Sequence, residues 1–412
     1  MQKWVLIFLI FSITPVKAAE VKVVKSSEGW RLLVEGKPFL VKGVCYLPAK
    51  IGESAYENTL RDWMIVDEDK DGRNDVAYQS WLDENRNNKK DAGERIVGDF
   101  QLLKEMGCNA IRIYHHPSSK FKLKKLHHEN ITLSHAPNKK LLRELHEKYG
   151  IWVVMGDLLG AYGVGSGASS DEETDYLSPE HKRNMIISVK NMILEFKDEP
   201  YLLMWALGNE NNYQHLTRNN CEQHPEAFSR FVSKIVRMIH ELDSHHPVCL
   251  INGGTQFLDL YARYASEIDI FGLNEYPKSP DFGNLWHDVA EKYDKPVLLT
   301  EFGDGQPKIV DGLLNEEIQA QIYRNLWVDI IKHTAGQTPP GNAIGGFVFE
   351  WLDNWWQDGD SALHNFETDD SLEWRGICAQ GDGTKSPLLR QQRKAYFYLK
   401  DIWTTRATSA RQ

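Results

Sequence analysis

The chain has 412 residues, with 48 basic and 58 acidic side chains and a formal charge of −10. Hydrophobic residues at 42% and charged residues at 26% belong to an ordinary globular protein, which excludes collagen, coiled coil and wholesale disorder. An acidic chain without a basic stripe has no electrostatic grip on nucleic acid or anionic lipid, so neither is expected as a partner.

Residues 1–3 carry one positive charge, residues 4–13 are apolar except for Ser12, and small or apolar Val16 and Ala18 follow Pro15. This pattern reads as a secretory signal over residues 1–18, too short to span a bilayer, and predicts a secreted or periplasmic product. The remainder, 19–412, reads as one domain. Of the five cysteines, Cys45, Cys108 and Cys249 lie in or beside apolar runs and are expected to be buried small hydrophobes.

Residues 21–24 and 30–34 read as an initial hairpin. Short β-rich runs then follow at 40–46, 110–114, 152–157, 202–207, 248–252, 268–274, 297–300 and 343–349. Segments of helical period lie between them at 96–106, 139–149, 179–196, 227–242, 284–292 and 315–333, with a short one at 258–264 and a last one at 386–403. Runs such as Trp152-Val-Val-Met155 are apolar throughout, as parallel strands covered on both faces require. Eight strand–helix units predict an α/β fold, a single (β/α)8 TIM barrel with a short N-terminal hairpin and a long insertion after strand one.

The strand ends are unusually polar, and in such a barrel the active site sits there. Strand two ends in Arg112, Tyr114, His115 and His116, strand three in Asp157, strand four in Asn209-Glu210, strand six in Asn274-Glu275-Tyr276 and strand seven in Glu301. Strand eight is followed by Glu350 and Trp351. Paired carboxylates at converging strand ends suit glycosidic bond cleavage, which needs a protonated acid and an ionised nucleophile. Glu210 fits the acid, with Asn209 to hold a sugar hydroxyl. Glu301 fits the nucleophile, with Arg112 and Tyr276 in support. Asn274, Asp157 and Asp304 are candidates for sugar hydroxyls and Trp351 for a stacking platform. Glu275 and Glu350 are placed as substrate-contacting or supporting groups. A retaining mechanism requires the two carboxyl groups to lie about 5–5.5 Å apart. It needs no cofactor.

These residues also carry a resemblance. Trp205-Ala-Leu-Gly-Asn-Glu210 resembles the acid/base motif of clan A glycoside hydrolases, and Leu299-Thr-Glu-Phe-Gly303 their strand-seven nucleophile motif. Gly345-Gly-Phe-Val-Phe-Glu-Trp351, Glu373-Trp374-Arg-Gly376 and Arg393-Lys-Ala-Tyr396 are similar to the end of family 2 catalytic domains, and family 5 and family 72 barrels are related. The resemblance implies Glu210 as acid/base, Glu301 as nucleophile, and an oligo- or polysaccharide substrate. Transglycosylation on β-glucan-type oligosaccharides and a non-catalytic sugar-binding barrel are the alternatives.

The insertion, residues 49–95, is far longer than an ordinary βα loop. Asp67, Asp69, Asp71 and Asp75 occupy positions one, three, five and nine of a calcium loop, with Gly72 at six, although Tyr78 replaces the glutamate at twelve. Sixteen residues on, Asp83, Asn85, Asn87, Asp91 and Glu94 repeat the spacing, with Asn88 in place of the glycine. Oxygen-only ligands point to a structural Ca²⁺.

Overall fold

The computed structural model describes residues 18–54, 57, 59–115, 138–169, 172–357, 359–364, 372–382 and 386–405. The signal segment, apart from Ala18, and His116 lie outside the described residues. Eight strands form a closed barrel: β1 (Val41–Cys45), β2 (Ala110–Ile113), β3 (Trp152–Asp157), β4 (Leu202–Leu207), β5 (Val248–Gly253), β6 (Ile270–Glu275), β7 (Val297–Phe302) and β8 (Ala343–Val348). Each pairs in parallel with its chain neighbour, and β8 pairs with β1 to close the ring.

Eight helices follow the strands: α1 (Asp99–Met106), α2 (Lys139–Tyr149), α3 (Pro179–Phe196), α4 (Pro225–Leu242), α5 (Leu258–Tyr264), α6 (Leu285–Lys292), α7 (Glu316–Lys332) and α8 (Lys394–Thr404). Their ends follow local chemistry. Asn138 caps α2 by accepting from Leu141 N at 3.1 Å, Pro179 opens α3, and Gly150 closes α2 in a left-handed turn.

Most expected elements form within a few residues of their read boundaries. The last is a correction, because 386–403 is not helical throughout. Leu389–Gln392 is a strand, paired with Trp81–Leu82 of the insertion and with Cys378–Ala379, and the helix begins only at Lys394. The partner strand lies some 300 residues upstream, so helical period within the segment could not reveal it.

The initial hairpin, Val21–Ser26 with Gly29–Val34, adds a short third strand at Lys37–Pro38. Its Val21, Leu32 and Val34 belong to the same apolar cluster as Val41, Ala110, Ile270, Leu298 and Ile344 at the strand starts, so it plugs the barrel's N-terminal end. Phe347 packs against Gly43, where a Cβ would sit 2.2 Å from the ring. All five cysteines are free and buried. Burial raises every thiol pKa, that of Cys249 to about 12.

Candidate active site

β2 places Arg112 and, two residues on and therefore on the same face, Tyr114 toward the barrel axis. There both meet Glu301 of β7. Arg112 Nη1 donates to Glu301 Oε1 at 2.9 Å and the Tyr114 hydroxyl to the same oxygen at 2.6 Å. The Tyr276 hydroxyl donates to Oε2 at 2.5 Å. The two carboxylate oxygens thus collect three donors between them. The sequence places Tyr114 at the strand end without a role, although its alternation with Arg112 marks the shared face.

Glu210 stands just beyond β4 in different surroundings. Gly208 makes the turn at φ +74°, where a side chain would strike Asn211 Oδ1 at 2.4 Å, and Glu210 itself is left-handed at φ +55°. A non-glycine residue held there stores local strain. Burial and then the charge of Glu301 raise the Glu210 pKa to about 7, against a hydrogen bond from Asn274 and the cations Arg112 and Arg375. The carboxyl therefore holds its proton well above the ordinary carboxylate range, while its neighbour carries three donors.

Asn209 and Asn274 lock these groups together. Arg112 Nη2 donates to Asn209 Oδ1 at 2.6 Å, Asn274 Nδ2 to the same atom at 3.1 Å, and Thr300 Oγ1 to Asn274 Oδ1 at 2.8 Å. Tyr162, carried in by the turn after β3, receives a hydrogen bond from Asn209 Nδ2 at 3.2 Å. Arg375 lies over the Tyr276 ring at 4.7 Å and the Phe349 ring at 5.8 Å. Its motif was noted in the sequence but no role was read for it.

Two expected sugar contacts are corrected by the structure. Trp351 is fully buried and cannot serve as a platform. Its indole N–H donates to Asp99 Oδ2 at 3.0 Å, beside Tyr46 Oη at 3.0 Å and the Arg390 guanidinium at 2.8 and 3.1 Å. This network of apolar rings around a buried ion pair ties β1, α1, β8 and the chain end together. Asp157 is likewise buried, accepting from Ser188 Oγ at 2.7 Å and from Leu159 N at 2.8 Å, so it braces α3 against β3. Glu350 is buried under Asn354 and Gln357, and burial pushes its pKa well above the carboxylate range. Glu275 is half-buried at the rim, its pKa raised by burial, and Asp304 is buried with Oδ1 accepting from Gln306 N.

The model of the glycosyl hydrolases family 2 TIM barrel domain matches residues 120–327, just over half of the chain. The chain belongs to glycoside hydrolase family 2. Among its family 2 relatives, the β-galactosidase of Leuconostoc mesenteroides is 22% identical over 262 residues, covering 63% of this chain and 19% of the relative. The β-galactosidase of Priestia megaterium is 25% identical over 333 residues, covering 76% and 25%. In solved structures, the β-D-glucuronidase of Dictyoglomus thermophilum superposes with TM-score 0.56 at 17% identity, over 94% of this chain and 54% of that one. This chain spans about a quarter of the length of the curated relatives it matches.

In the insertion the structure brings Asp67, Asp69 and Asp71 together, one oxygen of each within 4.8 Å of the others. Asp75 opens a one-turn helix, Asp75–Gln79, capped by Asn74. In the second loop Asn85 Nδ2 and Asn87 Nδ2 both donate to Asp91 Oδ2, at 2.7 and 2.8 Å. Asp83 accepts from Asn87 N, Asn88 N and Gln391, and Glu94 accepts from Glu84 N and Asp91 N.

Proposed function

We propose that this chain hydrolyses β-glycosides with retention of configuration, Glu301 being the nucleophile and Glu210 the acid/base. The observation that carries the reading is the opposite treatment of two neighbouring glutamates, one raised to about 7 by burial and the other wrapped by an arginine and two tyrosines. Glu301 attacks the anomeric carbon as Glu210 gives its proton to the departing glycosidic oxygen. A glycosyl–enzyme ester results. Glu210, now a carboxylate, takes a proton from water as that water attacks the same carbon, which frees Glu301 and restores the acid.

Arg112 holds Glu301 in place through Nη1, which also donates to the Thr300 carbonyl and to Asn274 Oδ1. Family 2 membership supports the glycosidase reading, and the β-galactosidase and β-glucuronidase names of the relatives support a β-linked hexose or hexuronic acid as the substrate. The test is hydrolysis of aryl β-glycosides and β-linked oligosaccharides by the parent and by Glu301→Gln, with the first-formed anomer read by proton NMR. Turnover giving β-product that disappears in the variant is expected. An α-anomer as first product, or full activity in Glu301→Gln, would overturn the assignment.

Residues 1–18 are read as a cleaved secretory leader. N-terminal sequencing of material from the culture medium is expected to begin at Ala19, and an intact Met1 would refute the cleavage.

A further inference from the structure

The insertion after β1 holds charged groups that sugar chemistry does not use. Around the cluster of Asp67, Asp69 and Asp71, Asp75 is only 4% exposed, and its Oδ1 is buried with no hydrogen-bond partner. Asp67 Oδ1 is orphaned in the same way. Asp75 and Gln79 share one side of the short helix, and Gln79 lies against both Asp69 and Asp71, so Asp75 stands beside the same cluster. A buried acceptor without a donor is costly, and mutual repulsion adds to it. A single cation would relieve both.

The backbone is already shaped for one. Lys70 and Gly72, at positions four and six, are left-handed at φ +59° and +82°. The amides of Gly72 and Asp71 close onto Asp67 Oδ2 and Asp69 Oδ1, each at 3.1 Å, while Asp67 Oδ1 is left without a partner. Position twelve supplies nothing, because the Tyr78 hydroxyl donates to Glu144 on α2 at 2.5 Å. The residue after it does. Gln79 stands four residues beyond Asp75, on the same side of the one-turn helix. Its side-chain amide lies 3.2 Å from Asp69 Oδ2 and 3.4 Å from Asp71 Oδ2. The two ends of a carboxamide exchange by a half-turn, so its oxygen can face the same point.

We propose that residues 67–79 bind one calcium ion through Asp67, Asp69, Asp71, the Arg73 carbonyl, Asp75 Oδ1 and the Gln79 side-chain oxygen. Gln79 thereby replaces the acidic residue that such loops carry at position twelve. An all-oxygen set of this number, in a loop free to adjust, suits calcium over the smaller magnesium ion and over zinc. The second loop has the same left-handed pair, Arg86 and Asn88, but none of its side chains carries a buried oxygen without a partner, so the ion is assigned to the first loop. The site stands independently of the glycosidase reading.

The test is calorimetric titration of the chelator-stripped full chain with calcium chloride, beside thermal unfolding. One ion per chain is expected, with a Tm rise of about 2–5 °C at saturation. The exposed-site variants Asp69→Asn and Asp71→Asn are expected to bind at least tenfold more weakly, and Gln79→Ala to weaken binding while Gln79→Glu keeps it. Asp91→Asn, in the second loop, is expected to bind as the parent does. No heat and no Tm change at about 5 mM calcium would overturn the site, as would parent-like affinity in Asp71→Asn. Loss of binding in Asp91→Asn would overturn its placement.

Discussion

The ends of β4 and β7 present the same residue type to the same cavity, and the protein treats the two carboxyls in opposite ways. Glu301 comes near the end of β7, buried, and its oxygens collect a guanidinium and two phenols. Glu210 comes after a glycine turn, in a left-handed backbone, with an asparagine amide as its donor and the charge of Glu301 against it. Division of labour between two identical side chains is thus a matter of which strand supplies the donors. β2 faces β7 across the axis, and both its inward residues point to Glu301. None of them reaches Glu210 directly.

Breaking that asymmetry on the Glu301 side should have the largest effects. Arg112→Met leaves a carboxylate in a buried place without its cation and is expected to lower stability by about 3–5 kcal/mol, read by urea unfolding. A loss under 1 kcal/mol would mean that Glu301 is neutral there. Glu210→Gln should slow cleavage of glycosides with poor leaving groups by about 10²–10⁴-fold, and nitrophenyl glycosides, whose leaving groups need no proton, much less in their first step. Equal loss on both would remove Glu210 from the acid role. Tyr276→Phe takes one of the three donors from Glu301 and should lower kcat/KM by roughly 10–100-fold. An unchanged value would leave that hydrogen bond without catalytic effect.

The smallest effect sharpens the other side. Glu210 acts as the acid while protonated, so kcat/KM should fall as pH rises through about 7. Arg375 favours the charged form, and Arg375→Leu removes that influence, so the alkaline limb should move to higher pH. A shift to lower pH would contradict the electrostatic placement of Arg375.

Most of this architecture is legible in the sequence because strand and helix patterns are local. β3, β4, α2, α3 and α5 form at the read boundaries. The pair Glu210 and Glu301 is legible because the two carboxylates close strands four and seven of a barrel whose strand ends carry the active site. What escaped reading depends on distant partners. Trp351 looks like a sugar platform until Asp99, some 250 residues earlier, is seen to take its indole proton. Asp157 looks like a contact for a sugar hydroxyl until Ser188 is found behind it. Arg375 and the strand Leu389–Gln392 are brought in by long connections, and no periodicity announces them.

The cysteines carry a practical consequence. Five thiols are distributed over β1, the approach to β2, the loop before α4, β5 and the small C-terminal sheet, and each is sealed from solvent. Alkylating reagents act on the thiolate, so burial withholds both the reactive species and access to it. Modification must then await opening of the surrounding structure. With these sulfurs spread around the barrel, the order in which they become labelled would chart which sectors open first, as a clock written into the chain.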